Sequence, residues 1–288
     1  MKSITITTNP PSHNMKHSSF VATLLLMLVS LTASSQRVFD VEVWQSKAPE
    51  KNGLSDTATM RVFLPEERLA TGRAVLICPG GGYHDLSGYT HEGTDWAPFF
   101  NEQGIAAIVL RYRMPNGHPQ VPVSDAAQAM RIIRANAEAW HVNPKDVGVM
   151  GSSAGGHLAS VLATQSGDDA RPDFQILFYP VITMMQGYTH QGSREGLLGN
   201  NPRKKDEQRY SSDMHVSRLT PRACIILADD DHDVMPMHGV NYYCELYRHD
   251  VPASLFVYPA GGHGFGIGTS FRYHLEMLLD LRAWLRSF

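Results

Sequence analysis

Cysteine is scarce here: Cys78, Cys224 and Cys244 are three thiols in 288 residues. So odd and sparse a set excludes a disulfide framework. Cys78 and Cys224 sit in or beside apolar runs and read as small buried hydrophobes rather than reactive thiols. Charge is sparse as well, at 18% of residues with a net of −3, and lysines and arginines are scattered singly. That leaves no electrostatic footprint for nucleic acid, which needs a basic patch or stripe. The densest basic spot, Arg203-Lys204-Lys205, runs straight into Asp206 and Glu207 and is predicted to be a solvated loop. Internal repeats and low-complexity linkers are absent, so a single domain over residues 37–288 is the economical reading.

Long apolar runs are also lacking, with one exception. Phe20 to Leu31 is apolar for about a dozen residues, too short to cross a bilayer. Lys16 and His17 precede it and Ala33-Ser34-Ser35 follows, the order of a basic n-region, an h-region and a small-residue cleavage site. A core helix would carry a polar stripe, and this run has none. The expectation is a signal peptide over residues 1–36, cut near Ser35-Gln36, with Met15 a candidate start and the mature protein soluble and secreted or periplasmic. No cysteine stands directly after the run, so a lipid anchor is not supported.

Hydrophobic residues make up 43% of the chain, a globular composition in a length that suits one α/β domain. Val38 to Trp44 and Thr57 to Leu64 alternate apolar and polar side chains, as half-buried strands that could pair in an antiparallel hairpin would. The runs Ala74–Cys78, Ile105–Leu110, Val147–Met150, Ile176–Tyr179 and Ala223–Leu227 are continuously apolar, which suits strands buried on both faces of a parallel sheet. Between them, Ser124 to Trp140 carries apolar residues three and four apart, with Ser124 or Asp125 as N-cap. Met235–Leu246 and Tyr273–Leu285 read as further helices. The alternation predicts a doubly wound α/β sheet. The polar, Gly-rich and Met-rich stretch 183–215 has no clear period and is expected to pass over the carboxyl edge of that sheet.

Gly151-Ser152-Ser153-Ala154-Gly155 fits G-x-S-x-G, with an apolar strand before it and an apolar helix after it. A serine on so sharp a strand-to-helix turn needs small neighbours and is a candidate nucleophile, Ser153, rather than a mere cap. Pro79-Gly80-Gly81-Gly82-Tyr83 follows an earlier strand. Acyl transfer makes an oxyanion that needs unobstructed N–H donors, and Gly81, Gly82 and Ala154 are the candidates. Phosphate cradling is a poor alternative, since no Gly-Lys-Ser/Thr and no GxGxxG follows. His263, flanked by glycines after the last strand, is the candidate base among 14 histidines. Four carboxylates, Asp229, Asp230, Asp231 and Asp233, crowd the end of the preceding strand, and spacing does not choose among them. EF-hand spacing is absent from that cluster, and neither a metal nor a cofactor is expected. Tyr83, His84, Tyr112 and Met184-Met185 are candidates for lining an acyl or sugar pocket, or equally for packing beneath the 183–215 excursion.

Taken together, CPGGGY (78–83), Glu92-Gly93, LRYR (110–113), GSSAGGHLAS (151–160), YPVITM (179–184), GSREGLLG (192–199), LADDDHDVMP (227–236) and YPAGGHGFG (258–266) resemble secreted bacterial α/β-hydrolases of the acetyl xylan esterase and feruloyl-type esterase group, near the lipases with an HGGG loop. The likeness runs from about residue 57 to the end. It implies a mostly parallel sheet of about eight strands with helices on both faces, and hydrolysis of small acyl esters, typically acetyl groups on xylan or related polysaccharides. In that group the acid lies three residues before a Val that opens the next helix, which implies Asp231 before Val234. The group's Pro follows that Val directly. Here Met235 intervenes, which keeps Asp230 and Asp233 in contention. Pro79 stands where the HGGG loop has His. Feruloyl or other small-ester hydrolysis, a prolyl-oligopeptidase-type peptidase and a non-catalytic carbohydrate-binding protein are the alternatives. Oligomeric state is not set by any of these features.

Overall fold

The alternating strands and the continuous apolar runs come together in one sheet. The structure, a computed structural model, describes residues 37–288, and the leader run, its cleavage site and Met15 lie outside them. Strand β1 (Arg37–Glu42) pairs antiparallel with β2 (Thr59–Leu64), Arg37 opposite Leu64 and Glu42 opposite Thr59. Strands β3 (Ala74–Cys78), β4 (Ala106–Arg111), β5 (Val147–Ser152), β6 (Phe174–Phe178), β7 (Arg222–Ala228) and β8 (Ala253–Tyr258) complete an eight-stranded sheet of order β1-β2-β4-β3-β5-β6-β7-β8. β2 runs antiparallel to β4, and every pairing from β4 to β8 is parallel. The helices are α1 (Ala97–Asn101), α2 (Gln120–Ala135), α3 (Ser153–Gln165), α4 (Gln191–Leu198), α5 (Lys204–Arg209), α6 (Met237–Arg248) and α7 (His274–Leu285).

Side chains of a strand point alternately to opposite faces, so an unbroken apolar run is buried only if both faces are covered. On one face Leu76, Ile108 and Leu110 pack with Met130 and Ile133 of α2, Leu158 and Leu162 of α3, and Tyr242 and Leu246 of α6. On the other, Val75, Ile77, Val109 and Ile226 pack with Phe99 and Phe100 of α1 and with Met277, Leu281 and Trp284 of α7. Cys78 and Cys224 are buried within these layers, and burial pushes both thiols up, while Cys244 is exposed. Among the described residues no helix is long and apolar enough to cross a membrane.

Two local expectations are corrected. Helix α2 begins at Gln120 and ends at Ala135 rather than spanning Ser124 to Trp140. Pro119 and Pro122 do not delay its start, because first-turn N–H groups have no intrahelical acceptor in any case. Asp125 caps nothing: it is fully buried and accepts from the Arg113 guanidinium, the Arg113 backbone N–H and the Trp44 indole N–H. Trp140 lies beyond the helix and packs edge-on against Phe39. The second correction is at Arg203-Lys204-Lys205, which opens helix α5 instead of forming a loop. Asp206 and Glu207 fall in the first turn of α5, where negative charge favours a helix. Glu207 also forms a buried ion pair with Arg194 of α4, so the 183–215 excursion is an ordered pair of short helices.

Candidate active site

The site is built at the carboxyl ends of β3, β5, β6, β7 and β8. Ser153 is the first residue of α3, directly after β5, and holds φ at 54° in the left-handed region. The glycines two residues to either side have no room for side chains. A Cβ on Gly151 would lie 2.2 Å from the Gly155 carbonyl oxygen, and one on Gly155 would lie 2.0 Å from that of Cys78. Contacts this short force glycine at both positions and press α3 against the loop after β3.

His263 Nε2 lies 2.8 Å from Ser153 Oγ, and His263 Nδ1 lies 2.7 Å from Asp231 Oδ2. Asp231 is 3% exposed, and its other oxygen accepts the N–H groups of Asp233 and Val234. A carboxylate can only accept, so Nδ1 carries the imidazole proton and Nε2 is left to accept from the serine hydroxyl. The structure thus brings Ser153, His263 and Asp231 together, and it separates the competing acids. Asp230 accepts the N–H groups of Gly261 and Gly262, which anchors the loop carrying His263 and holds the Asp230 carboxyl below the usual carboxylate range. Asp229 and Asp233 are exposed.

The candidate oxyanion donors are Gly81, Gly82 and Ala154. Among the described residues the N–H groups of Gly81 and Gly82 have no protein acceptor, and that of Ala154 is in the first turn of α3, where a helix offers none. A Cβ on Gly80 would fall 3.0 Å from the Cβ of Ser153, so this loop passes directly over the serine. Gly81 has φ 138°, and a Cβ there would meet the Asp85 carbonyl oxygen at 2.3 Å.

Tyr83 and Tyr112 serve as packing residues, and Tyr83 also lines a cleft with His84, Asn116 and Gly196. Both are buried, with their hydroxyls engaged inside the protein: Tyr112 donates to the Pro79 carbonyl, and Tyr83 donates to His157 Nδ1 at 2.8 Å. His157 in turn donates from Nε2 to the Tyr210 carbonyl, and burial pulls its pKa down to about 4, so it is a neutral link between the glycine loop, α3 and the excursion. Met184 is fully buried, in keeping with the packing reading. His84 stays exposed at the rim, within 3.1 Å of the Gly192 carbonyl at the start of α4.

Sequence reasoning missed Asp230 as an anchor, His157 as a prop and the pair Glu92–Tyr179. The last two lie far apart in sequence, yet the Tyr179 hydroxyl donates to Glu92 and the Tyr179 ring meets His263 edge-on at 4.9 Å. A fully buried tyrosine at φ 34° just after a strand was the available signal, but the angle is not legible in a string of letters.

A family profile described as alpha/beta hydrolase fold matches residues 75–267. This chain belongs to the α/β-hydrolase family. The hydrolase is 43% identical over 279 residues to an acetylxylan esterase of Xylanibacter ruminicola, covering 95% of this chain and 55% of that protein. It is 33% identical to endo-1,4-beta-xylanase B of Butyrivibrio fibrisolvens, covering 68% of this chain and 33% of that protein. The hydrolase thus spans about half the length of the first of these relatives and a third of the second. Among solved structures it superposes on an acetyl ester-xyloside bifunctional hydrolase from Caldicellulosiruptor lactoaceticus with a TM-score of 0.79 and 29% identity, covering 88% of this chain and 96% of that one.

Proposed function

We propose that this chain is a serine esterase that removes short acyl groups, acetyl foremost, from plant polysaccharide such as xylan. The observation that carries the reading is the relay from Asp231 through His263 to Ser153, with both bonds under 3 Å. His263 takes the hydroxyl proton as Ser153 Oγ attacks the ester carbonyl. The N–H groups of Gly81, Gly82 and Ala154 hold the resulting oxyanion, each contributing about 3 kcal/mol to lowering the barrier. The alcohol leaves with the proton from His263. Water then attacks the acyl-enzyme with His263 again as base, and the carboxylic acid is released. Acetyl and xylan are favoured because the relatives named as an acetylxylan esterase and an acetyl ester-xyloside hydrolase are among the proteins most like this one.

A series of p-nitrophenyl esters from acetate to ferulate, followed by acetylated xylo-oligosaccharides, tests the assignment. The expected result is kcat/KM at least tenfold higher for acetate than for ferulate, with acetate released from the oligosaccharides. Faster cleavage of ferulate would move the assignment to the feruloyl group, and no release from any ester would end it. Export is part of the proposal and rests on the run Phe20–Leu31 with its basic and small-residue flanks. N-terminal sequencing of the exported protein should begin near Gln36; an intact Met1 or Met15 on that protein would refute export by cleavage.

A further inference from the structure

Glu92 is a buried acid that the proposed mechanism does not use. It is 3% exposed, and both of its hydrogen-bond donors are neutral. A carboxylate so placed is costly to keep and is retained only where its oxygens are fully engaged. One oxygen accepts the Gly80 N–H at 2.8 Å, and the other accepts the Tyr179 hydroxyl at 2.8 Å. Gly80 leads directly into the donor pair Gly81 and Gly82. Tyr179 in turn accepts the N–H of Gly266, three residues beyond His263, at 2.8 Å. Its ring lies edge-on to His263 at 4.9 Å and to Phe265 at 4.6 Å.

The backbone around this carboxylate is cleared for it. A Cβ on Gly80 would stand 2.5 Å from Glu92 Oε2, and one on Gly88 would stand 2.2 Å from the same oxygen. A side chain at either position would displace the Glu92 carboxylate, and neither glycine has a positive φ. Three hydrogen bonds run in one line, from Gly80 N–H to Glu92, from the Tyr179 hydroxyl to Glu92, and from Gly266 N–H to Tyr179. The line joins the loop that offers the oxyanion donors to the loop that carries the imidazole.

We propose that Glu92 is a positioning residue that, acting through Tyr179, locks the oxyanion loop and the base loop in register on either side of Ser153. The proposal rests on the esterase reading. A displacement of about 1 Å in a reacting group can cost on the order of a hundredfold in rate, and two loops free to drift separately would suffer that. Glutamine at position 92 keeps one oxygen for the Gly80 N–H and turns its NH₂ toward Tyr179, so the Tyr179 hydroxyl loses its acceptor and must face two N–H donors instead. Tyr179→Phe keeps the ring against His263 and removes both hydroxyl bonds.

The test uses the full chain with p-nitrophenyl acetate and a fluorophosphonate probe, comparing Glu92→Gln, Tyr179→Phe and the double variant. Expected are ten- to hundredfold losses in kcat and in the rate of Ser153 labelling, with KM within threefold of wild type. The double variant should be no slower than the slower single variant, because the three bonds act as one line. Multiplying losses in the double variant would overturn the proposal. So would a lowered melting temperature with kcat unchanged, or an effect confined to KM. If Glu92→Gln does not fold, Tyr179→Phe alone decides, since an unchanged kcat there breaks the line. Failure to label Ser153 in the wild-type protein would instead overturn the esterase reading and the proposal with it; normal wild-type labelling with unaffected variants overturns this proposal only.

Discussion

Ser153→Ala is expected to abolish turnover of p-nitrophenyl acetate, a loss on the order of 10⁶ in kcat, with the fold intact. The size of the effect follows from the chemistry: no other hydroxyl takes the place of Oγ, which lies 2.8 Å from His263 Nε2. Ser152, the neighbouring hydroxyl, is the last residue of β5 and is fully buried. The fold should survive because alanine retains the Cβ that the strained turn already tolerates at φ 54°. The substitution deletes one oxygen and one hydrogen bond, a change worth about 1 kcal/mol of stability. Initial rates with p-nitrophenyl acetate and thermal melts of the same preparation check both halves. Wild-type turnover in a folded Ser153→Ala protein would end the esterase reading.

Asp231→Asn should cost about 10⁴ in kcat, far more than the same change at Asp230 or Asp233. Asp231 accepts three N–H groups: those of Asp233 and Val234 at Oδ1, and His263 Nδ1–H at Oδ2. An asparagine that keeps its oxygen toward the two backbone donors must turn its NH₂ toward Nδ1. The imidazole then carries its proton on Nε2 and cannot accept from Ser153. The opposite orientation sets the NH₂ against two N–H donors, so neither is satisfactory. At Asp230 the Gly261 and Gly262 donors share Oδ1, and an asparagine keeps that oxygen, so a loss of roughly tenfold or less is expected there. Asp233 is exposed and should change activity by roughly twofold or less. Steady-state rates of the three variants check the order; an Asp231 variant as active as the Asp233 variant would remove Asp231 from the relay.

How much of this was legible in the sequence depends on the reach of the pattern involved. The elbow at Ser153 could be read because strand, turn and helix are contiguous and the glycines that the turn needs fall within five residues. His263 was singled out by glycines on both sides and by its place after the last strand. The acid cluster was harder. Asp230 and Asp231 are adjacent, both follow β7, and both help to place His263, one through its ring and one through the backbone of its loop. Only a three-dimensional path of the chain separates those roles. The misplacement of α2 has a similar origin: Asp125 looks like a cap until Arg113, on a segment with no local link to it, claims its carboxylate.

By itself, then, the sequence determined the layers, the parallel core and the three loops that carry the candidate residues, because periodicity, turn residues and capping act over short stretches of chain. What only the tertiary structure decided was which polar groups hold those loops together. Glu92 with Gly80 and Tyr179, Tyr83 with His157, and Asp230 with Gly261 are each joined by one or two hydrogen bonds across separations of 12 to 87 residues. A hydrogen bond needs its atoms within about 3 Å, and a one-dimensional pattern carries no information about that distance.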